Sequence, residues 1–261
     1  MKYGFIGCGN MGGAVAAAVA KATHDIMITD RSGKAKKIAE ELGILYSDNL
    51  SVAKECDVLF LCVKPHMMKD MLLPLQTVLQ ERKPLLVTMA AGLTMAQIEA
   101  FSGTDLPVVR IMPNTPVAVG KGMIQYCRNA LVDDASLSDL LSDLRFAGNL
   151  DPLDETLIDA ASAVSGCGPA YAYLFLEAMA DGGVACGIPR AKALEYAAAT
   201  LAGAAEMYLA TRQHPGALKD AVCSPGGSTI EGIKALEEHG FRGAVMDCVT
   251  AAYEKNKKLG K

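Results

Sequence analysis

The chain has 261 residues, 51% of them hydrophobic and 21% charged, with a formal net charge of −4. That length holds one large domain or two smaller ones with real cores, and the composition excludes a disordered chain. So mild a charge gives no electrostatic case for nucleic acid or an acidic membrane as partner.

Met1-Lys2-Tyr3 leads straight into an apolar run, residues 2–6, that reads as a strand and not as a signal peptide. Residues 11–22 are Ala/Val-rich and helical, and 25–29 form a second strand ending at Asp30. A charged helix follows over 32–42. Residues 57–63, Asp-Val-Leu-Phe-Leu-Cys-Val, are nearly all apolar, as expected of a strand covered on both faces. Residues 85–89 and 108–112 repeat that pattern, with helices expected over 66–79 and 94–101. Strands alternating with helices predict an α/β fold, a Rossmann-type doubly wound parallel sheet.

After about residue 155 the strand signals stop. Helices are expected over 157–164, 170–186, 190–211, 218–223, 229–238 and 241–259, with Gly-Pro and Pro-Gly pairs between several of them. The domains expected are therefore 1–155, dinucleotide-binding, and 156–261, all-helical. Alanine and glycine are abundant and tryptophan is absent, which predicts helices packed closely in a core or across a subunit interface. The apolar stretch 169–188 carries Glu177, Asp181 and three glycines, and reads as a buried helix rather than a membrane span. The eight cysteines are scattered, with no CxxC pair and no Cys/His cluster, so no metal site is expected. Free thiols in a reducing cytoplasm are the expectation.

Gly7-Cys8-Gly9-Asn10-Met11-Gly12 is a GxGxxG between a strand and a helix, where a dinucleotide pyrophosphate meets backbone N–H groups and the positive end of the helix dipole. Asp30 stands where an acid hydrogen-bonds a ribose 2′-OH, favouring NAD. Its neighbours Arg31, Ser32 and Lys34 could hold a 2′-phosphate, favouring NADP. The sequence leaves that choice open. The third, fourth and fifth strands end in Val63-Lys64-Pro65, Ala90-Ala91-Gly92 and Arg110-Ile111-Met112-Pro113-Asn114-Thr115-Pro116, all at the carboxyl edge where open α/β sheets bind ligands. Asn114 offers an amide that could face a nicotinamide carboxamide. Lys64 and Arg110 are read equally well as a surface charge and a structural ion pair.

Two glycine-rich turns stand out in the helical half. Ser165-Gly166-Cys167-Gly168-Pro169 precedes the long apolar helix, and Ser224-Pro225-Gly226-Gly227-Ser228-Thr229 opens another helix. The second aims backbone N–H groups and three hydroxyls at one region, which suits a carboxylate. An ordinary helix capped by Ser228 or Thr229 is the alternative.

Taken together, GxGNMG, VKP, AAG, MPNTP, SGxGPAY and the run from His214 through Leu218-Lys219-Asp220 to Ser224-Thr229 resemble pyrroline-5-carboxylate reductase, in order and spacing, over essentially the whole chain. Cys167 stands where many members have Ser or Gly. The resemblance implies reduction of 1-pyrroline-5-carboxylate to L-proline, the last step of proline biosynthesis, by hydride transfer from NADPH or NADH. It implies a homodimer with interlocked C-terminal helices, a site between the nucleotide domain of one subunit and the helices of another, and rings of dimers in some members. On the cofactor side it adds Asn49, Lys64 and Asn114 to the glycines, and Val63, Pro65, Ala90, Ala91, Gly92 and Pro116 fall on the same turns. For the substrate, Ser165, Gly166 and Gly168 would shape the pocket, and the amides at Gly226, Gly227, Ser228 and Thr229, with Ser224, would hold the carboxylate. Ser224 and Thr229 are the catalytic candidates, with the Thr229 hydroxyl on the ring nitrogen. His66 is the nearest histidine to the sheet edge, His24 and His239 read as surface residues, and His214 as a helix-boundary residue.

Two other readings remain at this stage. A reductase of β-hydroxy acids would place a catalytic lysine on a helix of the second domain, with Lys192 and Lys219 as candidates. A redox-sensing nucleotide-binding protein would keep the glycine loop but have little need of the second turn.

Overall fold

The computed structural model describes residues 1–259. The chain divides into two compact units: residues 1–167 with the chain's end from Ala252, and residues 168–251.

The first unit alternates β1 (Tyr3–Ile6), α1 (Asn10–Val19), β2 (Ile26–Thr29), α2 (Lys34–Leu42), β3 (Leu45–Tyr46), α3 (Asn49–Glu55), β4 (Val58–Leu61), α4 (Met68–Leu72), α5 (Gln76–Arg82), β5 (Leu85–Thr88), α6 (Met95–Ser102) and β6 (Val108–Met112). It continues through β7 (Gly122–Arg128), α7 (Asp134–Leu144), β8 (Gly148–Pro152) and α8 (Glu155–Ser165). The eight strands form one sheet in the order β3-β2-β1-β4-β5-β6-β7-β8, parallel except where β7 runs against β6. This is the doubly wound sheet expected from the alternating pattern.

Alternate residues of each central strand feed opposite faces. Phe5, Phe60, Val87 and Ile111 join one buried cluster with α1 residues Val15 and Val19; Ile6, Leu59, Leu86 and Val108 join the other with Leu72 and Ile98. Phe5 and Phe60 stack across neighbouring strands with ring centroids 4.3 Å apart. Because both faces are covered, these strands read as nearly unbroken apolar runs. The helix expected over 66–79 is interrupted: a tight turn at Leu73–Leu75 separates α4 from α5, since Pro74 has no N–H to donate back.

Helix α8 packs on β6 and β7. The Arg110 side chain, 1% exposed, explains the attachment: Nη2 donates to Asp159 Oδ1 at 2.6 Å and Nη1 lies 3.5 Å from Glu155 Oε1. Glu155 Oε1 also accepts from the Met95 N–H at 2.7 Å. Of the two readings the sequence allowed, Arg110 is the ion pair. Its Nε has no partner, so the cation depends on the two carboxylates. Arg110→Ala should cost about 2 kcal/mol, less than the roughly 3–5 of a fully buried pair, because both carboxylates keep partial exposure. Chemical denaturation checks this, and an unchanged midpoint would remove Arg110 from the stability argument. The chain's end returns to the same place, where Asn256 Nδ2 donates to the Asp159 carbonyl at 3.1 Å.

The second unit contains α9 (Gly168–Ala185), α10 (Arg190–Thr211), α11 (Pro215–Ala221), α12 (Ser228–Glu238) and most of α13 (Phe241–Asn256). Its buried cluster is small, Ala180, Ala193 and Ala197, with Leu176, Val184 and Ile188 packed against it. Tyr173, Leu174, Tyr196, Met207 and Met246 are exposed, Leu174 and Met246 at 69%. Exposed apolar side chains in such number on so few helices are what a protein partner covers. Among the described residues no helix is long and apolar enough to cross a membrane.

Candidate active site

In the first unit the glycine loop joins β1 to α1. Gly7 adopts φ +99° at the strand's end, its N–H bonded to the Thr29 carbonyl at 2.8 Å. Gly9 is the N-cap of α1, without any side-chain cap and without an acidic residue in the first turn. The helix therefore offers its open N–H groups and positive dipole end to an anion. Burial raises the Cys8 thiol to about 12 and raises Cys62 well above its usual range. Both stay neutral thiols at physiological pH and put no charge beneath the loop.

Two clefts meet at this loop. One, of about 640 Å³, is lined by Gly9, Asn10, Met11 and Gly12, by Val63, Lys64 and Pro65 after β4, by Met89, Ala90 and Ala91 after β5, and by Thr115 and Ala118. The other, of about 490 Å³, is lined by Gly7 and Gly9, by Asp30, Arg31, Ser32 and Asn49, and again by Val63 and Lys64. Gly9, Cys62, Val63 and Lys64 belong to both, so the pair forms a single track across the carboxyl ends of β1, β4 and β5. That arrangement suits a dinucleotide, with the glycine loop shared between its two halves.

Asp30 turns back on its own loop. Its Oδ2 accepts from Ser32 Oγ at 2.6 Å and its Oδ1 from the Gly33 N–H at 2.9 Å. The exposed Arg31 and Lys34 make no ion pair among the described residues. With the acid occupied and two cations free, this end of the track favours a 2′-phosphate over a bare ribose. Asn49 Oδ1 accepts from Thr29 Oγ1 at 3.2 Å, and the residue lines the second cleft. Lys64 is exposed where the clefts meet.

The structure brings most of the expected cofactor residues together, while Gly92, Asn114 and Pro116 line neither cleft. Asn114 is buried with both ends of its amide engaged: Nδ2 donates to the Ser165 carbonyl at 3.0 Å, and Oδ1 accepts from the Met123 N–H at 2.9 Å. Ser165, expected at the substrate, turns its hydroxyl inward to Gln125 Oε1 and the Ala161 carbonyl, each at 3.0 Å. Gly166 continues from it, with a Cβ position only 2.8 Å from the Ser162 carbonyl oxygen. His66 lines neither cleft. The sequence reading did not single out Met89 or Ala118, whose one signal is that they flank the turns it named, and it gave Thr115 only as part of the loop after the fifth strand.

In the second unit Gly226 adopts φ +69° and the Gly227 N–H bonds the Ser224 carbonyl at 3.0 Å, closing the turn before α12. Gly227, not Ser228 or Thr229, is the N-cap, and no side chain caps the helix. Ser228 and Thr229 are its first two residues, and the hydroxyls of Ser224, Ser228 and Thr229 make no hydrogen bond within the described chain. Upstream, His214 Nδ1 accepts from the Gly216 N–H at 3.1 Å and caps α11, a helix-boundary role as expected. The turn opens an eleven-residue helix and presents free N–H groups and three free hydroxyls. A carboxylate with a neighbouring hydrogen-bonding atom fits that donor set. Lys192 pairs with Glu195 at 3.1 Å and Lys219 with Asp220, so neither stands as a free catalytic ammonium.

Residues 155–259 match the family model described as pyrroline-5-carboxylate reductase dimerisation, and residues 2–92 match the one described as NADP oxidoreductase, coenzyme F420-dependent. The chain is 41% identical to the pyrroline-5-carboxylate reductase of Escherichia coli (strain K12), covering all of this chain and 98% of that one. It is 39% identical to that of Pisum sativum, over 98% and 95% of the two chains. The structure of Plasmodium falciparum pyrroline carboxylate reductase with NADP bound superposes with a TM-score of 0.91 at 34% identity, covering 100% and 98% of the two chains.

Proposed function

Because the chain belongs to the pyrroline-5-carboxylate reductase family, we propose that its two glycine-built sites hold NADPH and the cyclic imine of one hydride-transfer reaction. The protein is an oxidoreductase that reduces 1-pyrroline-5-carboxylate to L-proline, the last step of proline biosynthesis, with NADP as its cofactor. Residues 1–155 bind the dinucleotide, and 156–261 supply the substrate turn and the dimer contacts.

The fit of the first site rests on Gly9. A Cβ built there meets nothing within 4 Å, so the backbone opens onto the track at the uncapped end of α1. When bound, NADPH supplies the hydride. The chain's part is to position and to exclude water. Gly7, Gly9, Asn10, Met11 and Gly12 receive the pyrophosphate, Arg31, Ser32 and Lys34 the 2′-phosphate, and Asn49 the ribose. Val63, Lys64, Pro65, Ala90 and Ala91 wall the central and nicotinamide stretch. At the second site the amides at Gly226, Gly227, Ser228 and Thr229, with the Ser224 hydroxyl, bind the carboxylate. Thr229 Oγ1 hydrogen-bonds the ring nitrogen and relays its proton; a cyclic imine protonates readily, and no stronger acid is required. The observation that carries this reading is the Ser224–Thr229 set, three unpartnered hydroxyls around an uncapped helix start.

The chain forms a homo-oligomer through its dimerisation half. We place the interlocking on α9, α10 and α13, whose exposed apolar residues need cover, and a ring of dimers is the higher assembly proposed. The eight unpaired cysteines fit a reducing cytoplasm.

The test mixes purified protein with 1-pyrroline-5-carboxylate and follows loss of NADPH and of NADH in parallel. Proline formation with NADPH preferred is expected. Binding of cofactor without its consumption would refute the reductase, and a preference for NADH would reassign the Asp30 end of the track.

A further inference from the structure

The geometry points to Asn114 as a positioning residue for hydride transfer: it acts through Ser165, not on the nicotinamide. This rests on the reading that the cleft at Met89 and Ala91 takes the nicotinamide.

The Met123 N–H can only donate and the Ser165 carbonyl can only accept, so the two partners fix which way the Asn114 amide points. Ser165 is the last residue of α8, and its carbonyl is one of those a helix leaves without an internal partner. Asn114 supplies that partner at 3.0 Å from the loop after β6. A second buried amide holds the same residue: Gln125, 5% exposed on β7, accepts the Ser165 hydroxyl at 3.0 Å. Gln125 lies opposite Met112 in the β6–β7 register, two residues before Asn114. The next residue along, Thr115, lines the nicotinamide-side cleft. Arg110, on β6 as well, ties the other end of α8 to the same strand.

Helix α8 is thus fastened at both ends to the strand whose exit loop walls the cofactor cleft. The glycine turn that begins at Ser165 takes its position from that loop. When hydride donor and acceptor must meet at a set distance, a shift of about 1 Å costs roughly 100-fold in rate. Cutting the Asn114 bond permits such a shift while removing no atom that lines either cleft.

The variants are Asn114→Ala, Asn114→Asp, which keeps the acceptor for Met123 and loses the donor to Ser165, and Gln125→Leu. The measurements are kcat, KM for the imine, and Kd for NADPH and for 2′-phospho-ADP-ribose, which lacks the nicotinamide. Both Asn114 variants should lower kcat by roughly 30- to 100-fold with both Kd values within about twofold of wild type, and Gln125→Leu should lower kcat in the same direction. If NADPH affinity falls while that of the nicotinamide-free fragment holds, Asn114 touches the nicotinamide and the proposal fails. An unchanged kcat overturns it too. Should Asn114→Ala not fold, the other two variants decide by the same criteria. An inactive wild type that still binds NADPH would instead refute the reductase reading itself, and with it any role in hydride transfer.

Discussion

Gly12→Ala should strongly destabilise the nucleotide-binding unit, while Gly9→Ala, three residues away, should leave its stability unchanged and weaken NADPH binding. A Cβ at Gly12 would stand 2.2 Å from the Gly7 carbonyl oxygen and 2.8 Å from Cys62 Cβ. One obstacle is backbone and the other the Cβ of a half-buried side chain, fixed to the backbone of β4's end, so neither can move aside cheaply. Alanine gains up to about 1 kcal/mol of helix propensity over glycine, but overpacking of this kind costs about 3 kcal/mol or more. For a chain of this size that lowers the melting temperature by roughly 10 °C. Gly9 has φ −68° and ψ −168°, a conformation open to any residue, and its Cβ would meet no protein atom within 4 Å. The methyl group goes where the pyrophosphate must approach the backbone. A steric conflict of about 1–3 kcal/mol there raises Kd roughly 10- to 100-fold. Thermal melts with and without NADPH separate the two: Gly12→Ala melts early in both, and Gly9→Ala loses only the shift that ligand gives. Normal NADPH affinity in Gly9→Ala would mean that the cofactor does not cross the loop at Gly9.

The parts of this fold that could be read from sequence are those where burial imposes a pattern. β1, β2, β4, β5 and β6 are covered on both faces and are nearly continuous apolar runs, broken in β6 by Arg110. β3 is two exposed residues, and β8 is Gly-Asn-Leu-Asp-Pro at the sheet's edge; neither carries a hydrophobic period to find. β7 mixes Gln125, Tyr126 and Arg128 into its apolar positions because it faces α8 and an edge strand. Helix α8 reads as the start of the helical half by periodicity, yet it packs in the first unit because Arg110, 45 and 49 residues earlier, binds its carboxylates. The clefts were legible as turns at strand ends, since glycine and proline mark where backbone must come close. What Asn114 faces was not: one of its partners lies nine residues on and the other fifty-one, and only the folded chain brings them to opposite ends of one amide.

Thr229→Ala should lower kcat by about 100-fold while leaving the fold, NADPH binding and substrate binding nearly intact. The hydroxyl makes no hydrogen bond within the described chain, so nothing structural is lost with it. At the second position of α12, alanine's higher helix propensity favours the folded state by a few tenths of a kcal/mol. The backbone N–H groups at Gly227, Ser228 and Thr229 survive the change, so the carboxylate keeps its main donors and KM for the imine should move by only about twofold. What disappears is the atom placed to hold and pass the proton on the ring nitrogen, and positioned proton transfer contributes roughly 100- to 10,000-fold. The expected loss sits at the low end because a protonated imine can also form from water. Thr229→Ser restores the hydroxyl and should recover most of the turnover, whereas Thr229→Val, equal in shape, should not. Steady-state kinetics of the three variants beside NADPH titrations read all of this. Full turnover in Thr229→Ala would take the hydroxyl out of the reaction and leave the turn as a carboxylate site alone.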